Sequence, residues 1–378
     1  MSSNKKWADM IKAQPMFDVL AEANKKEKEG NYLARMEIGD TPGFKNSSVN
    51  RFLSKTSEEP HRYSPSKGEP FLIDVLFAKQ WTQFSKDAYD ISVAPANFLI
   101  MASLAAVTSP GDTVLIPDPG FPTYKLACDF LGLKTLTYSL YPNNSYTFPP
   151  INFSELSSFS LPKAIIINNP SNPLGIAYDG KQVLGAIKSL VQAGVEVIID
   201  ETYINLVYDS TNPFIPIDDA IRIRTFSKEH CAPGLRVGYA LANHEHTNTI
   251  SNFISLTISC VPKFIQIAVA EYLSTDESSI FLKSIIQEMR QRHDLLFNTL
   301  PNNAMLTKPN SAFYAMIETG DAEKSFEFFM QRNVATCPGS KFGPAAKSAL
   351  RISIAGKSEN LSKDFNMLLG AYNEWLIN

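Results

Sequence analysis

Between about Asp90 and Ala242 the chain repeats one pattern: a short apolar, β-rich run, a polar break, then a longer stretch with helical periodicity. The runs are TVLIP (113–117), KAIIIN (163–168), VEVIID (195–200), IRIRTFS (221–227) and RVGYALA (236–242). Strands that are apolar almost throughout must be covered on both faces, and helices between them act as crossovers between parallel neighbours. This predicts an α/β fold: a large domain with a mostly parallel, mixed sheet flanked by helices. After Pro262 the texture shifts to long helical periodicity, FIQIAVAEYL and IFLKSIIQEMRQRHDLLFNTL, and the mixed tail ends in a helix from about 359 to 375. A smaller α+β domain, formed by the N-terminal segment and the C-terminal part, is expected. The predicted boundaries are 1–44 for the arm and small-domain segment, 45–275 for the large domain, and 276–378 for an interdomain helix and the small C-terminal domain.

The N-terminal segment carries its own signals. Pro15 and Gly30 bracket a helix-forming stretch, read as an arm or lid, and Gly39-Asp-Thr-Pro-Gly43 breaks the chain after it. With 44% hydrophobic residues over 378 positions the core is ample. A net charge of -3 provides no basic footprint for nucleic acid or an anionic membrane, so the expected partner is a small molecule. Cys128, Cys231, Cys260 and Cys337 form no CxxC pair, which argues against a disulfide framework and a zinc site. No apolar run reaches transmembrane length and no secretory h-region is visible, so a soluble, cytoplasmic protein is expected.

In open α/β sheets the ligand lies beyond the carboxyl ends of the strands, so polar residues that close apolar strands are the candidates for chemistry. KAIIIN runs into Asn168-Asn-Pro-Ser-Asn-Pro-Leu-Gly175, VEVIID ends at Asp200-Glu-Thr-Tyr203, and IRIRTFS runs into Lys228. An acid on one strand and a lysine on another form, on their own, an ordinary ion pair. If both face one cavity, the buried amine has a lowered pKa and becomes nucleophilic, while the Asp stays ionised only against a cation.

The order of motifs resembles one family, the fold type I pyridoxal phosphate enzymes, and among them the class I and II, aspartate aminotransferase-like aminotransferases. The resemblance spans nearly the whole chain: HRYSPSKGEPFL (61–72), SPGDTVLIPDPGFPTY (109–124), NNPSNPLG, IIDETY, TFSKEHCAPGLRVGY, SAFYAMIE (311–318), ATCPGSKFG (335–343) and RISIA (351–355). It implies that Lys228 forms the internal aldimine with pyridoxal phosphate and shuttles the proton. It implies that Asp200 pairs with the pyridinium nitrogen, keeping the ring an electron sink, and that Tyr203 and Asn172 donate to the phenolic oxygen. Thr225 and Arg236 resemble the hydroxyl and guanidinium that hold the phosphate, with Gly234 and Gly238 leaving room for the backbone. Phe121 resembles the aromatic that stacks on the ring, although a lone Phe in such a sequence is more often a core residue. Arg351 and Asn172 resemble the groups that grip the substrate α-carboxylate, and Gly39 the glycine beside which substrate passes. Tyr63 resembles the tyrosine that reaches the phosphate of a neighbouring subunit, which implies a homodimer with shared sites.

The chain departs from that pattern in places. In ISVAPANFLIMASLAAV, Pro95 occupies a position where the family places phosphate-binding amides at a helix start. Proline has no N–H, so the grip is expected to fall to the amides of Ala96 and Asn97, with the Asn97 side chain. Leu174 and Ser311 replace a usual threonine and glycine away from the chemistry, and Thr225 keeps the hydroxyl of the usual serine. His244 and His246 lack a third ligand, so no metal is expected. The basic run 290–292 is expected to be the solvated face of a helix. The acids Glu37 and Asp40 around Gly39 are set to meet a cationic substrate side chain, or else are surface residues.

The function expected is a pyridoxal phosphate-dependent aminotransferase acting on an L-amino acid and a 2-oxo acid. The same parts serve lyases, cyclases and oxidases, and the alternative is such an enzyme acting on a basic amino acid. A non-catalytic relative that only binds a partner would be expected to lose Lys228, which is present.

Overall fold

A computed structural model describes residues 11–30, 32–58, 62–140, 147–151, 161–306 and 308–378. His61, at the head of HRYSPSKGEPFL, and the first ten residues of the expected arm lie outside them. The described chain opens with α1 (Met16–Lys28) and β1 (Ala34–Arg35), then α2 (Ser47–Thr56) and α3 (Pro70–Lys79). The large sheet follows: β2 (Tyr89–Val93), α4 (Ala96–Val107), β3 (Thr113–Asp118), α5 (Thr123–Phe130), β4 (Lys134–Ser139), β5 (Ala164–Asn168), α6 (Gly180–Gln192), β6 (Glu196–Asp200), β7 (Ile221–Thr225), the one-turn α7 (Phe226–Glu229) and β8 (Gly238–Asn243). Helices α8 (His244–Thr257), α9 (Lys263–Ser274) and α10 (Asp276–Thr299) lead to β9 (Tyr314–Glu318), α11 (Ala322–Gln331), β10 (Val334–Ala335), β11 (Cys337–Pro338), β12 (Ala349–Ser353) and α12 (Leu361–Ile377).

The large sheet runs β2-β8-β7-β6-β5-β3-β4. Its centre is parallel, and β8 pairs antiparallel with both β7 and β2, so the sheet is mixed. Alternation along the central strands explains their composition. Ile165, Ile167, Val197 and Ile199 enter one apolar cluster, whereas Ile166 and Ile198 enter the cluster on the opposite face. A strand buried on both faces has no position for a solvated side chain, hence AIIIN and VIID.

The small sheet, β11-β12-β9, is antiparallel, and β1 pairs in parallel with β10. Val19 and Ala23 of α1, Leu33, Ala34 and Met36, and Phe365 and Leu368 of α12 share one apolar cluster with these strands. The N-terminal segment is therefore built into the core of the C-terminal part rather than being a free arm.

The strand IRIRTFS is shorter than expected. It ends at Thr225, whose Oγ1 accepts a hydrogen bond from the Ser227 N–H at 3.2 Å and starts α7. RVGYALA likewise becomes a strand only at Gly238, because Arg236 has φ +57°, in the left-handed region. The basic run 290–292 is not uniformly solvated. Arg292 is buried, donates through Nη1 to the carbonyls of Ile354 (2.9 Å) and Gly356 (2.6 Å), and covers the Phe44 ring.

Two arginines of β7 pay the usual cost of burial by sharing one acid. Arg222 Nη1 lies 2.5 Å from Glu201 Oε1, and Arg224 Nε 2.7 Å from Glu201 Oε2, all three side chains being buried. Burial pushes the Glu201 carboxyl up, but Arg224 and Arg222 outweigh it and hold it below the usual range. Glu201→Ala leaves two guanidiniums without their anion and is expected to cost about 3–5 kcal/mol in a denaturant titration. Because the folded pKa is the lower one, this stabilisation is present above the ordinary glutamate range and is lost as pH falls through the folded value.

Candidate active site

Strand register assembles the site. Pairing of β5 with β6 sets Asn168 beside Asp200, and β7, the next strand, ends at Thr225. Beyond these ends lies a cavity of about 320 Å³. Its walls include Asn168, Asn172, Asp200, Tyr203, Thr225 and Lys228 from the large sheet, Gly39 and Asp40 from the N-terminal segment, and Tyr314 and Arg351 from the small sheet. Lys228 and Asp200 thus face one cavity, the condition under which the sequence made them chemical rather than an ion pair.

Lys228 Nζ donates to the Gly39 carbonyl. Burial lowers its pKa to about 8; Asp40 opposes the shift, and the charges of Arg351 and Arg236 reinforce it. Asp200 is buried, accepts from Tyr124 Oη at 2.7 Å and from the Thr202 N–H at 3.0 Å, and has no cationic partner among the described residues. Burial raises its pKa, and the hydrogen bonds from Thr202 and Tyr124 pull it back.

At one end of the cavity the groups suit an anion. Pro95 caps α4 and its carbonyl takes the N–H groups of Phe98 and Leu99, both at 2.9 Å, which leaves the Ala96 and Asn97 amides at the open helix start. Arg236 Nη2 reaches Asn97 Oδ1 at 3.4 Å, so the guanidinium, that helix start and Thr225 converge on one place. Gly238 permits this: a Cβ there would lie 2.8 Å from the Ala94 carbonyl oxygen and 2.9 Å from the Ala96 nitrogen. Gly234 has no such role, since a Cβ at that position meets nothing within 4 Å.

At the other end sits Arg351, fully buried on β12. Its Nη1 donates to Asn172 Oδ1 at 3.2 Å and its Nη2 to the Glu37 carbonyl at 2.8 Å, while Nε has no partner. Tyr314 and Phe342 hold the guanidinium plane, with ring centroids 4.5 and 4.7 Å from Cζ. Phe121 lines the cavity and packs edge-on to Tyr124.

The family model for aminotransferases of class I and II matches residues 56–365. The chain belongs to that family. A probable aspartate aminotransferase of Methanocaldococcus jannaschii is 27% identical over 348 residues, 87% of this chain and 89% of that one. An aspartate aminotransferase of Pyrococcus abyssi is 30% identical over 319 residues, 80% and 81% of the two chains. The solved structure of Thermus thermophilus aspartate aminotransferase with maleate has the same fold, with a TM-score of 0.88 at 23% identity over 98% of this chain and all of that one.

Members of the family use pyridoxal phosphate, and this aminotransferase has the donor set for it. An anion-binding helix start with an arginine, a neutralisable lysine, and a sealed carboxylate lacking a cation match a phosphate, an aldehyde and a protonated ring nitrogen respectively.

Several neighbours of the candidate residues were given no role in the sequence reading. Tyr124 stands three residues after Phe121 in DPGFPTY and is the donor to Asp200. Asn168 Oδ1 accepts from the Asn172 N–H at 2.8 Å and so orients the turn that carries Asn172. Tyr314, in SAFYAMIE, hydrogen-bonds Tyr203. Each was signalled only by standing inside a motif already singled out. Glu37 is not free to meet a substrate: it is buried against Arg35, 2.6 Å away, and Asp40 alone of that pair lines the cavity. His244 and His246 sit at the start of α8 beside different acids, Asp90 and Glu196. Tyr63 is 88% exposed and lies outside the cavity wall.

With its pKa near 8, Lys228 of the cofactor-free protein is expected to acetylate with a midpoint near pH 8, against 10.5 for an ordinary lysine. Competitive labelling read by peptide mass spectrometry checks this. A midpoint equal to that of the exposed lysines would contradict it.

Proposed function

We propose that this aminotransferase binds pyridoxal phosphate covalently at Lys228 and exchanges the amino group of an L-amino acid with a 2-oxo acid at that site. The observation that carries the reading is that Lys228, Asp200 and Arg351 line one cavity. The cofactor, when bound, supplies the electron sink that makes the substrate Cα–H acidic. Asp200 holds the proton on the ring nitrogen, with Tyr124 and Thr202 orienting it. Tyr203 and Asn172 serve the phenolic oxygen; Thr225, Arg236 and the Ala96 and Asn97 amides serve the phosphate, and Phe121 covers the ring. Arg351, aided by Asn172, would fix the substrate carboxylate, and Lys228, freed as a neutral amine when the substrate's amino group takes its place on the cofactor, would move the proton. Gly39, whose carbonyl already meets the lysine, borders the path of the substrate.

The working unit is a homodimer in which Tyr63 enters the neighbouring site, a reading supported by the exposure of that phenol on the isolated chain. The units 1–44, 45–275 and 276–378 are proposed as the parts that close on substrate, since walls of the cavity come from each. No described helix is long and apolar enough to cross a membrane, and a cytoplasmic location fits.

Holoenzyme mixed with single amino acids and no acceptor is expected to convert stoichiometrically to the pyridoxamine form, releasing one 2-oxo acid per site. Catalytic turnover with release of ammonia or peroxide would refute transamination. Arg351→Leu is expected to reduce kcat/KM by roughly 100-fold for amino acid and oxo acid alike, as loss of charge-assisted hydrogen bonds worth about 3 kcal/mol. A loss confined to one of the two substrates would contradict the carboxylate role.

A further inference from the structure

Tyr314 links Tyr203 to Arg351 in the cavity wall. Its hydroxyl lies 2.9 Å from that of Tyr203, and its ring lies under Arg351, 4.5 Å from Cζ. Among the described residues neither hydroxyl has another hydrogen-bond partner, and both side chains are buried. Gly39 keeps the place open, since a Cβ there would overlap the Tyr314 hydroxyl. Two phenols in contact share one hydrogen bond, so one proton lies between them and the other is free to be donated elsewhere.

We propose that Tyr314 is a positioning residue that donates to Tyr203 and thereby turns the Tyr203 proton into the cavity, towards the phenolic oxygen of the cofactor. The direction follows from charge. Arg351 lies over the Tyr314 ring and makes that phenol the better donor of the pair. A Tyr203 oxygen that accepts one hydrogen bond is polarised to donate a stronger one. The groups that face the pair are Arg351, Asp40 and Cys337 around Tyr314, and Asp200 and Arg351 around Tyr203. Substrate carboxylate arriving at Arg351 would offset the positive charge above Tyr314, so the same contact links the occupancy of the substrate site to the cofactor end.

The inference rests on the attachment of the cofactor to Lys228, and the wild-type holoenzyme tests that first. Without a lysine-bound chromophore there, the active-site reading fails and the inference with it. Given the chromophore, Tyr314→Phe keeps the ring beneath Arg351 and removes only the hydroxyl. The pH midpoint of its absorbance change is expected to rise by about half a unit, because the anionic phenolic oxygen loses part of its support. Tyr203→Phe is expected to shift the midpoint further, and the double variant no further than Tyr203→Phe alone. Gly39→Ala, which displaces the hydroxyl without removing it, should move the midpoint in the same direction. An unchanged midpoint in Tyr314→Phe and Gly39→Ala, or additive shifts in the double variant, would overturn the proposal.

Discussion

Three neighbouring strands, β5, β6 and β7, have no face to give to solvent, so their polar groups must either be paired in the interior or emerge at the strand ends. The active site is the second outcome. Parallel pairing in register brings Asn168, Asp200 and Thr225 to a single edge of the sheet. That register also places Lys228, on the turn of helix after β7, whereas Ala96 and Asn97 reach the cavity from the start of α4 and Phe121 from the segment after β3.

The first outcome is the Arg222-Glu201-Arg224 cluster. Glu201 follows Asp200 directly, yet the two carboxylates have opposite environments. One is pinned between guanidiniums and held ionised, while the other meets only hydrogen-bond donors and is left for a cation from outside the chain. Adjacent side chains at a strand end point to opposite sides, so a structural ion pair and the acid proposed to serve the cofactor occupy consecutive positions without sharing a partner.

The cavity closes only because the small sheet and the N-terminal segment pack together. Arg351 reaches Asn172 and the Glu37 carbonyl at once, so the group suited to a carboxylate touches the large domain and the N-terminal segment simultaneously. Much of this was legible in the chain: the strands from their apolar runs, Asp200 and Lys228 as candidates from their places after those runs, and Tyr203, Asn172, Thr225 and Arg236 only from the resemblance to the aminotransferase family. Tyr124 and Tyr314 were harder to read because their roles are contacts with other candidates across 76 and 111 positions. Arg292 was misread for a related reason. Helical periodicity tells which residues share a face, but not that carbonyls from 62 and 64 positions away would be waiting there.

The sequence by itself determined the layered α/β core, because long apolar β-runs separated by helices admit few other burials, and it determined which residue types close each strand. It did not determine whether Lys228 and Asp200 neutralise one another or work on a third group. The tertiary structure set both on the wall of one cavity, which Arg236 and Arg351 also line, with no ion pair between them among the described residues. Distances between residues far apart in the chain, and the loss of solvent around an amine, arise from packing and are written in no local pattern.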